Sequence, residues 1–276
     1  MIVSDQHKFV FIHIPKCAGT TVRKRLQGFD ERDGRFTARV DTHPDLGPLD
    51  YTHIPLFVLH KYFPTEYAAI VDYKSCAVVR NPFERFASSL AQRFKMYGDK
   101  PIERQSVENI KAEINRTIAH LRQLPKGDVL LPPDYIHFQH QVDYLHHEGR
   151  RVVDSVYRTD EVGRLFSELG QHTGHDLLDG EKQEAIKKEN LSRVHRHSVS
   201  RHVIEAIRPA IRVAGAILPD SAKESLRNMV YVTRDKALGD LFKENSVRDF
   251  VSEYYERDIR MWEDFSREDS RRKAAS

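Results

Sequence analysis

Apolar and polar positions along this chain switch repeatedly between a strand-like and a helix-like period. The run Phe9-Val-Phe-Ile-His-Ile14 reads as a buried strand that Pro15 ends, and Val22, Arg23 and Leu26 open an amphipathic helix after a polar turn at Lys16 to Thr21. Ala77 to Val79 predicts a second short strand, and Pro82 suits a helix start because its missing N–H would have no partner there. Phe83, Phe86, Ala87, Leu90 and Phe94 then recur at three and four residues. The same spacing in Val107, Ile110, Ile114, Ile118 and Leu121 predicts a helix within Ser106 to Leu124. Val152 to Val156 reads as a strand, followed by a helix that ends near Gly170 and takes Asp160 as its cap. Phe250, Val251, Tyr254, Ile259 and Trp262 mark a final helix over Val247 to Phe265. Strands alternating with helices argue for a parallel sheet with helices on both faces.

Other segments are less regular. Gln27 to Leu49, rich in Asp, Arg, Gly and Pro, predicts loop or short irregular elements near a substrate mouth. A strand is expected over Leu49 to Thr52 and a short helix over Pro55 to Tyr62, while Ala68 to Val71 has no clear pattern. Val203 to Leu218 and Ala222 to Val232 read as amphipathic helices interrupted by Pro209 and Pro219, suited to core or dimer packing or to a membrane surface. No internal repeat is present.

The first strand, turn and helix have the layout of an anion site. Amides at a helix start lack intrahelical partners and carry the positive end of the helix dipole, so a phosphate or sulfate is stabilised there. Lys16 adds a full charge, and Thr20 and Thr21 add hydroxyl donors. A Walker A loop places its lysine directly before the hydroxyl residue. Here the lysine precedes Gly19, which argues against an ordinary nucleotide triphosphatase.

His13-Ile-Pro-Lys-Cys-Ala-Gly-Thr-Thr21 resembles the 5′-phosphosulfate loop of sulfotransferases, in particular the family of the Golgi carbohydrate sulfotransferases and their bacterial relatives. Cys76-Ala-Val-Val-Arg-Asn-Pro-Phe-Glu-Arg-Phe-Ala-Ser-Ser-Leu90 resembles that family's strand-to-helix element for the donor's 3′-phosphate. The resemblance implies the donor 3′-phosphoadenosine 5′-phosphosulfate, with 3′,5′-adenosine bisphosphate as product and no metal. Its implied donor contacts are Lys16, Cys17, Ala18, Gly19, Thr20 and Thr21 at one end, and Arg80 and Ser88 at the other. Taken singly, Arg80 reads equally well as an ion pair with Glu84, and Ser88 as a helix-surface hydroxyl. Two anion sites on two strand ends are what a donor with two charged ends needs.

Looser matches extend the resemblance over about two thirds of the chain. Gln141, Tyr144 and Leu145 resemble a Q-x-x-YL segment, and the turn at Arg158 resembles another family element. Asn190, Ser192 and Arg193 lie in a region that resembles the family's loop over the donor. The basic run from Arg193 to His202 reads as a clamp on the 3′-phosphate, a grip on an anionic acceptor, or a solvated loop. A zinc site built from His195, His197 and His202 has no cysteine or carboxylate cluster beside it.

Sulfuryl transfer needs an acceptor oxygen in line with the leaving phosphate, stabilisation of the departing charge, and a base. Lys16 and the Gly19 to Thr21 amides suit the second task, and histidine suits the third because its pKa lies near neutrality. Among 15 histidines, His53 stands after a predicted strand end between the two motifs, where the resembled family often places its catalytic histidine. It reads otherwise as a structural histidine beside the Pro55 helix. His43 and His60 are reserves, and His13 alternates with core positions.

Composition narrows this only slightly. At 276 residues and 39% hydrophobic, the chain can bury a sizeable core. Its 44 Lys and Arg against 41 Asp and Glu leave a net charge of +3, so bulk electrostatics do not imply nucleic acid. Cys17 and Cys76 are too few for a disulfide scaffold and read as buried thiols. No apolar stretch approaches the ~20 residues of a membrane span, and the N-terminal run, with its His13, does not read as a signal peptide.

The expectation is therefore an α/β, P-loop-like three-layer fold with a central parallel sheet flanked by helices and a helical C-terminal region. It is read as one domain over 1–276, with its core at 7–200, a helical elaboration at 201–265 and a charged, frayed tail at 266–276. The function expected is that of a cytoplasmic sulfotransferase of bacterial type, acting on a hydroxyl of a glycan or glycolipid, with a possible homodimer or membrane-surface contact through 203–232. The rivals are a nucleotide-dependent kinase with an atypical phosphate loop and a non-catalytic member of the fold.

Overall fold

The computed structural model describes residues 1–37, 40–102, 105–125, 127–178, 193–195, 231–233, 241 and 244–275. In chain order its strands and helices are β1 (Ile2–Ser4), β2 (Phe9–Ile12), α1 (Gly19–Leu26), β3 (Asp41–His43), β4 (Gly47–Leu49), α2 (Leu56–Tyr62), α3 (Pro64–Asp72), β5 (Lys74–Val79), α4 (Pro82–Tyr97) and α5 (Val107–Gln123), then β6 (His146–His147), β7 (Arg150–Arg151), β8 (Ser155–Arg158), α6 (Val162–Thr173), β9 (Arg193–His195), β10 (Tyr231–Thr233), α7 (Asn245–Tyr254) and α8 (Glu256–Ala275). They fall into two compact units, one of residues 1–89, 124–186 and 251–276, the other of 90–123 and 187–250.

The first unit is mixed α/β. Its sheet runs β1-β2-β5-β8, with β2, β5 and β8 parallel and β1 antiparallel on the edge. The expected parallel sheet is present in β2, β5 and β8, and it carries an antiparallel edge strand because the turn after Ser4 folds Ile2 and Val3 back onto Phe11 and Val10. Phe9 to Ile12 and Ser75 to Val79 are buried throughout, which is why both read as continuous apolar or small runs. Helix α3 packs on β2 and β5, and α6 on β8.

Several boundaries differ from the sequence reading. The strand expected at Leu49 to Thr52 is a turn, because Asp50 accepts the Thr52 N–H on its side chain and the His53 N–H on its carbonyl; β4 ends at Leu49 and pairs with β3. The stretch at Ala68 to Val71 belongs to α3, which Pro64 opens. Asp160 is not a cap: a short 3-10 turn over Thr159–Glu161 precedes α6, and Asp160 accepts from Arg158 at 3.0 Å instead. Helix α6 runs to Thr173, where Gly174 takes the left-handed conformation.

In place of one closing helix, α7 ends at Tyr254 and α8 continues to Ala275, through the segment expected to fray. Among the described residues no helix is long and apolar enough to cross a membrane.

The second unit includes α5, whose buried Ile110, Ile114, Ile118 and Leu121 match the sequence pattern. Glu113 on the same helix binds Arg93 at 2.7 Å and also Arg116. Strands β9 and β10 pair antiparallel, with Arg193 opposite Thr233. Tyr231 and Val232 are thus in a strand where an amphipathic helix was expected. Residues 203–230 lie outside the described residues.

Candidate active site

The loop after β2 owes its shape to two non-glycine residues with left-handed backbones. Lys16 has φ 64° and Ala18 φ 58°, a conformation that costs on the order of 1 kcal/mol or more per residue and is retained where the surroundings enforce it. Turns of this kind aim consecutive N–H groups into one concavity and form anion-binding nests. Thr21 and Val22 donate to the Ala18 carbonyl, so α1 starts at the loop's end with the Gly19 and Thr20 amides ahead of the first helical bond. No carboxylate occupies the first turn of α1 to compete for an anion.

Gly19 is required here by contact. A Cβ at this position would lie 1.8 Å from the imidazole Cδ2 of His13. His13, which alternates with core positions in the sequence, is buried with its ring against Gly19.

Cys17 is buried in the loop, and burial pushes its thiol up to about 12. The protonated Sγ has two acceptors in reach of its one hydrogen, Gln141 Oε1 at 3.2 Å and the Pro15 carbonyl at 3.4 Å. Its place in the loop is therefore structural, apart from its amide. Cys76 is likewise a free, buried thiol pushed up to about 12 by burial.

Arg80 follows β5, next to β2 in the sheet. Asn81 Oδ1 accepts the Phe83 N–H at 3.0 Å and Pro82 opens α4, so the sequence itself ends the strand and starts the helix here. Arg80 Nε binds Glu84 at 3.1 Å, the pairing that single-residue reading allowed. Ser88 lies further along α4 and is buried.

Arg158 ends β8, the third parallel strand, and its guanidinium binds Asp160 at 3.0 Å and Glu161 at 3.7 Å. Lys16, Arg80 and Arg158 thus stand beyond the carboxyl ends of three neighbouring parallel strands, the edge where α/β sheets bind ligands. Asn190 and Ser192 lie outside the described residues.

His53 sits in the turn after β4 and is buried. Its Nδ1 lies 3.0 Å from the His13 carbonyl oxygen, and its ring meets those of His13 at 4.5 Å and His137 at 5.4 Å. Burial pushes His53 down to about 3; the hydrogen bond to His13 opposes this, and the cations Lys16 and Arg23 add to it. Burial also holds His13 well below the ordinary histidine range.

Sequence reasoning missed His137, whose ring is beside His53, and Arg85, fully buried one turn after Arg80. His137 lies in an irregular segment without periodicity. Arg85 was hidden in a helix where a charged residue ordinarily faces water.

A sheet with parallel β2, β5 and β8, a left-handed loop and helix start after its first parallel strand and arginines at the next two is the framework of an α/β domain with its candidate site at one sheet edge. The model of the sulfotransferase family matches residues 1–160, more than half of the chain, and the chain belongs to that family. It is a sulfotransferase. No curated protein and no solved structure matches the chain at a significant level.

Proposed function

We propose that the protein transfers a sulfuryl group from 3′-phosphoadenosine 5′-phosphosulfate to an acceptor hydroxyl, on a carbohydrate or glycoconjugate. The observation that carries this reading is the left-handed loop at Lys16 and Ala18 after β2 with Arg80 after the adjacent parallel β5. On this reading the Lys16–Thr21 loop takes the 5′-phosphosulfate, and Arg80, with Ser88 as its expected neighbour, takes the 3′-phosphate. Arg80 meets Glu84 through Nε, so that carboxylate competes with a donor phosphate for the guanidinium.

In this mechanism the acceptor oxygen attacks sulfur as the bond from sulfur to the bridging phosphate oxygen breaks. Lys16 and the loop amides take up the negative charge that develops on that oxygen. His53 accepts the hydroxyl proton on Nε2. A carbonyl only accepts, so the contact with His13 puts a hydrogen on Nδ1 and leaves the Nε2 lone pair available. Donor anions beside Lys16 offset its field at His53 and raise the basicity of the imidazole in the complex.

Calorimetry of 3′,5′-adenosine bisphosphate against ATP tests the donor reading, with tighter binding of the bisphosphate expected. Equal or weaker binding would overturn it. A screen of glycans, glycolipids and small alcohols with radiolabelled donor then identifies the acceptor.

A further inference from the structure

Two half-sites on different strands bind one donor well only if their separation is fixed. The side chain of Gln141, which is 0% exposed, lies between them. Its Oε1 accepts the Arg80 N–H at 2.9 Å and the Cys17 thiol at 3.2 Å, and its Nε2 donates to the Arg80 carbonyl at 2.9 Å. One carboxamide thus joins the loop after β2 to the end of β5.

Gln141 is itself held from α8. Asp258, also 0% exposed, accepts the Gln141 N–H on Oδ2 at 2.9 Å and the Val142 N–H on Oδ1 at 3.0 Å. Its counter-ion is Arg85 at 3.4 Å, which donates to the His137 carbonyl at 3.1 Å and lies over the Tyr255 ring at 5.0 Å. Arg85 belongs to α4, the helix that starts beside Arg80. A buried ion pair is a poor source of net stability, because desolvation offsets most of its attraction. What this pair does supply is a fixed direction: both carboxylate oxygens are committed to the backbone that aims Gln141.

We infer that Gln141 and Asp258 are positioning residues that set the separation between the 5′ and 3′ halves of the donor site, with α8 supplying the anchor. Asp258 lies beyond the matched residues 1–160, so the donor site depends on an element outside that segment. This inference rests on the donor reading above.

The test compares affinities for 3′,5′-adenosine bisphosphate, which spans both halves, and adenosine 5′-monophosphate, which reaches one. In the intact protein the bisphosphate should bind more tightly. Gln141→Met and Asp258→Asn should reduce that preference by about fivefold or more, the scale of one lost hydrogen bond, while affinity for the monophosphate stays within about twofold. Cys17→Ala, the mildest change, should reduce it in the same direction and carries the test if either larger change prevents folding. A purely structural role would lower the melting temperature and leave the preference intact in the folded variants, which would overturn the inference. An intact protein with no preference would overturn the donor reading, and this inference with it.

Discussion

His53 donates its Nδ1–H to the His13 carbonyl oxygen across 3.0 Å, so the residue behind the anion loop also fixes the tautomer of the proposed base. His53→Ala should lower kcat by about 10² to 10⁴ while the affinity for 3′,5′-adenosine bisphosphate changes little, since a base acts on the acceptor proton. Because burial holds the free-enzyme pKa at about 3, the acid limb of kcat/KM for the donor assigned to His53 should fall far below the ordinary histidine range. A limb near pH 6.5, or an unchanged kcat in the variant, would remove His53 from this role.

Glu84 neutralises Arg80 in the structure described and so competes with any phosphate for it. Arg80→Ala should weaken donor binding by about tenfold or more, the cost of losing a charge-assisted contact. Glu84→Gln should act oppositely and tighten it, since the guanidinium is no longer neutralised by a carboxylate. Lys16→Ala differs from both: it should lower kcat by about 10² or more, because the charge it meets develops in the transition state. Steady-state kinetics at varied donor concentration separates these patterns. Donor binding that is intact in Arg80→Ala would reject Arg80 as the 3′-phosphate residue.

Gly19→Ala tests the fit between loop and histidine. The new methyl would overlap the His13 ring at 1.8 Å, so the ring, which packs against His53 at 4.5 Å, and the loop must shift apart. We expect a loss of about 1–3 kcal/mol of stability, read by urea denaturation, together with loss of donor binding. Thr20, exposed on the next turn position, should tolerate alanine with no comparable loss of stability.

The parts of this molecule that could be read from the sequence are those where local chemistry and burial agree. Phe9 to Ile12 and Ala77 to Val79 are buried on both faces, so their apolar runs are continuous, and Pro82 marks the start of its own helix. The position between the two motifs singles out His53, but its contacts with His13 and His137 are not legible there. What could not be read depends on contacts distant in sequence. Nothing near Asp258 signals that its carboxylate caps backbone at Gln141 and Val142, and nothing near Arg85 signals a buried cation, because each is explained only by the other. Strand β1 was missed because three residues are too few to carry a period.

Asp143 is buried, and burial pushes its carboxyl up to about 7, against the opposing hydrogen bond from Gln139 Nε2 at 2.6 Å. The folded protein therefore binds a proton at Asp143 that the unfolded chain releases near pH 4, so this residue's contribution to stability falls as pH rises through that window and is fully unfavourable above about pH 7. His53 has the opposite sign. Its folded pKa lies below the unfolded value, so its contribution falls as pH drops below about 6.5. Comparing the intact protein with Asp143→Asn cancels the His53 term, which both share. The asparagine keeps an oxygen for Gln139 and cannot ionise, so the stability of the variant relative to the intact protein should rise by about 2 kcal/mol between about pH 5 and pH 8. Urea denaturation at the two pH values reads this difference directly. A difference that does not change with pH would mean that Asp143 titrates in the ordinary carboxylate range, and that its burial is relieved by water.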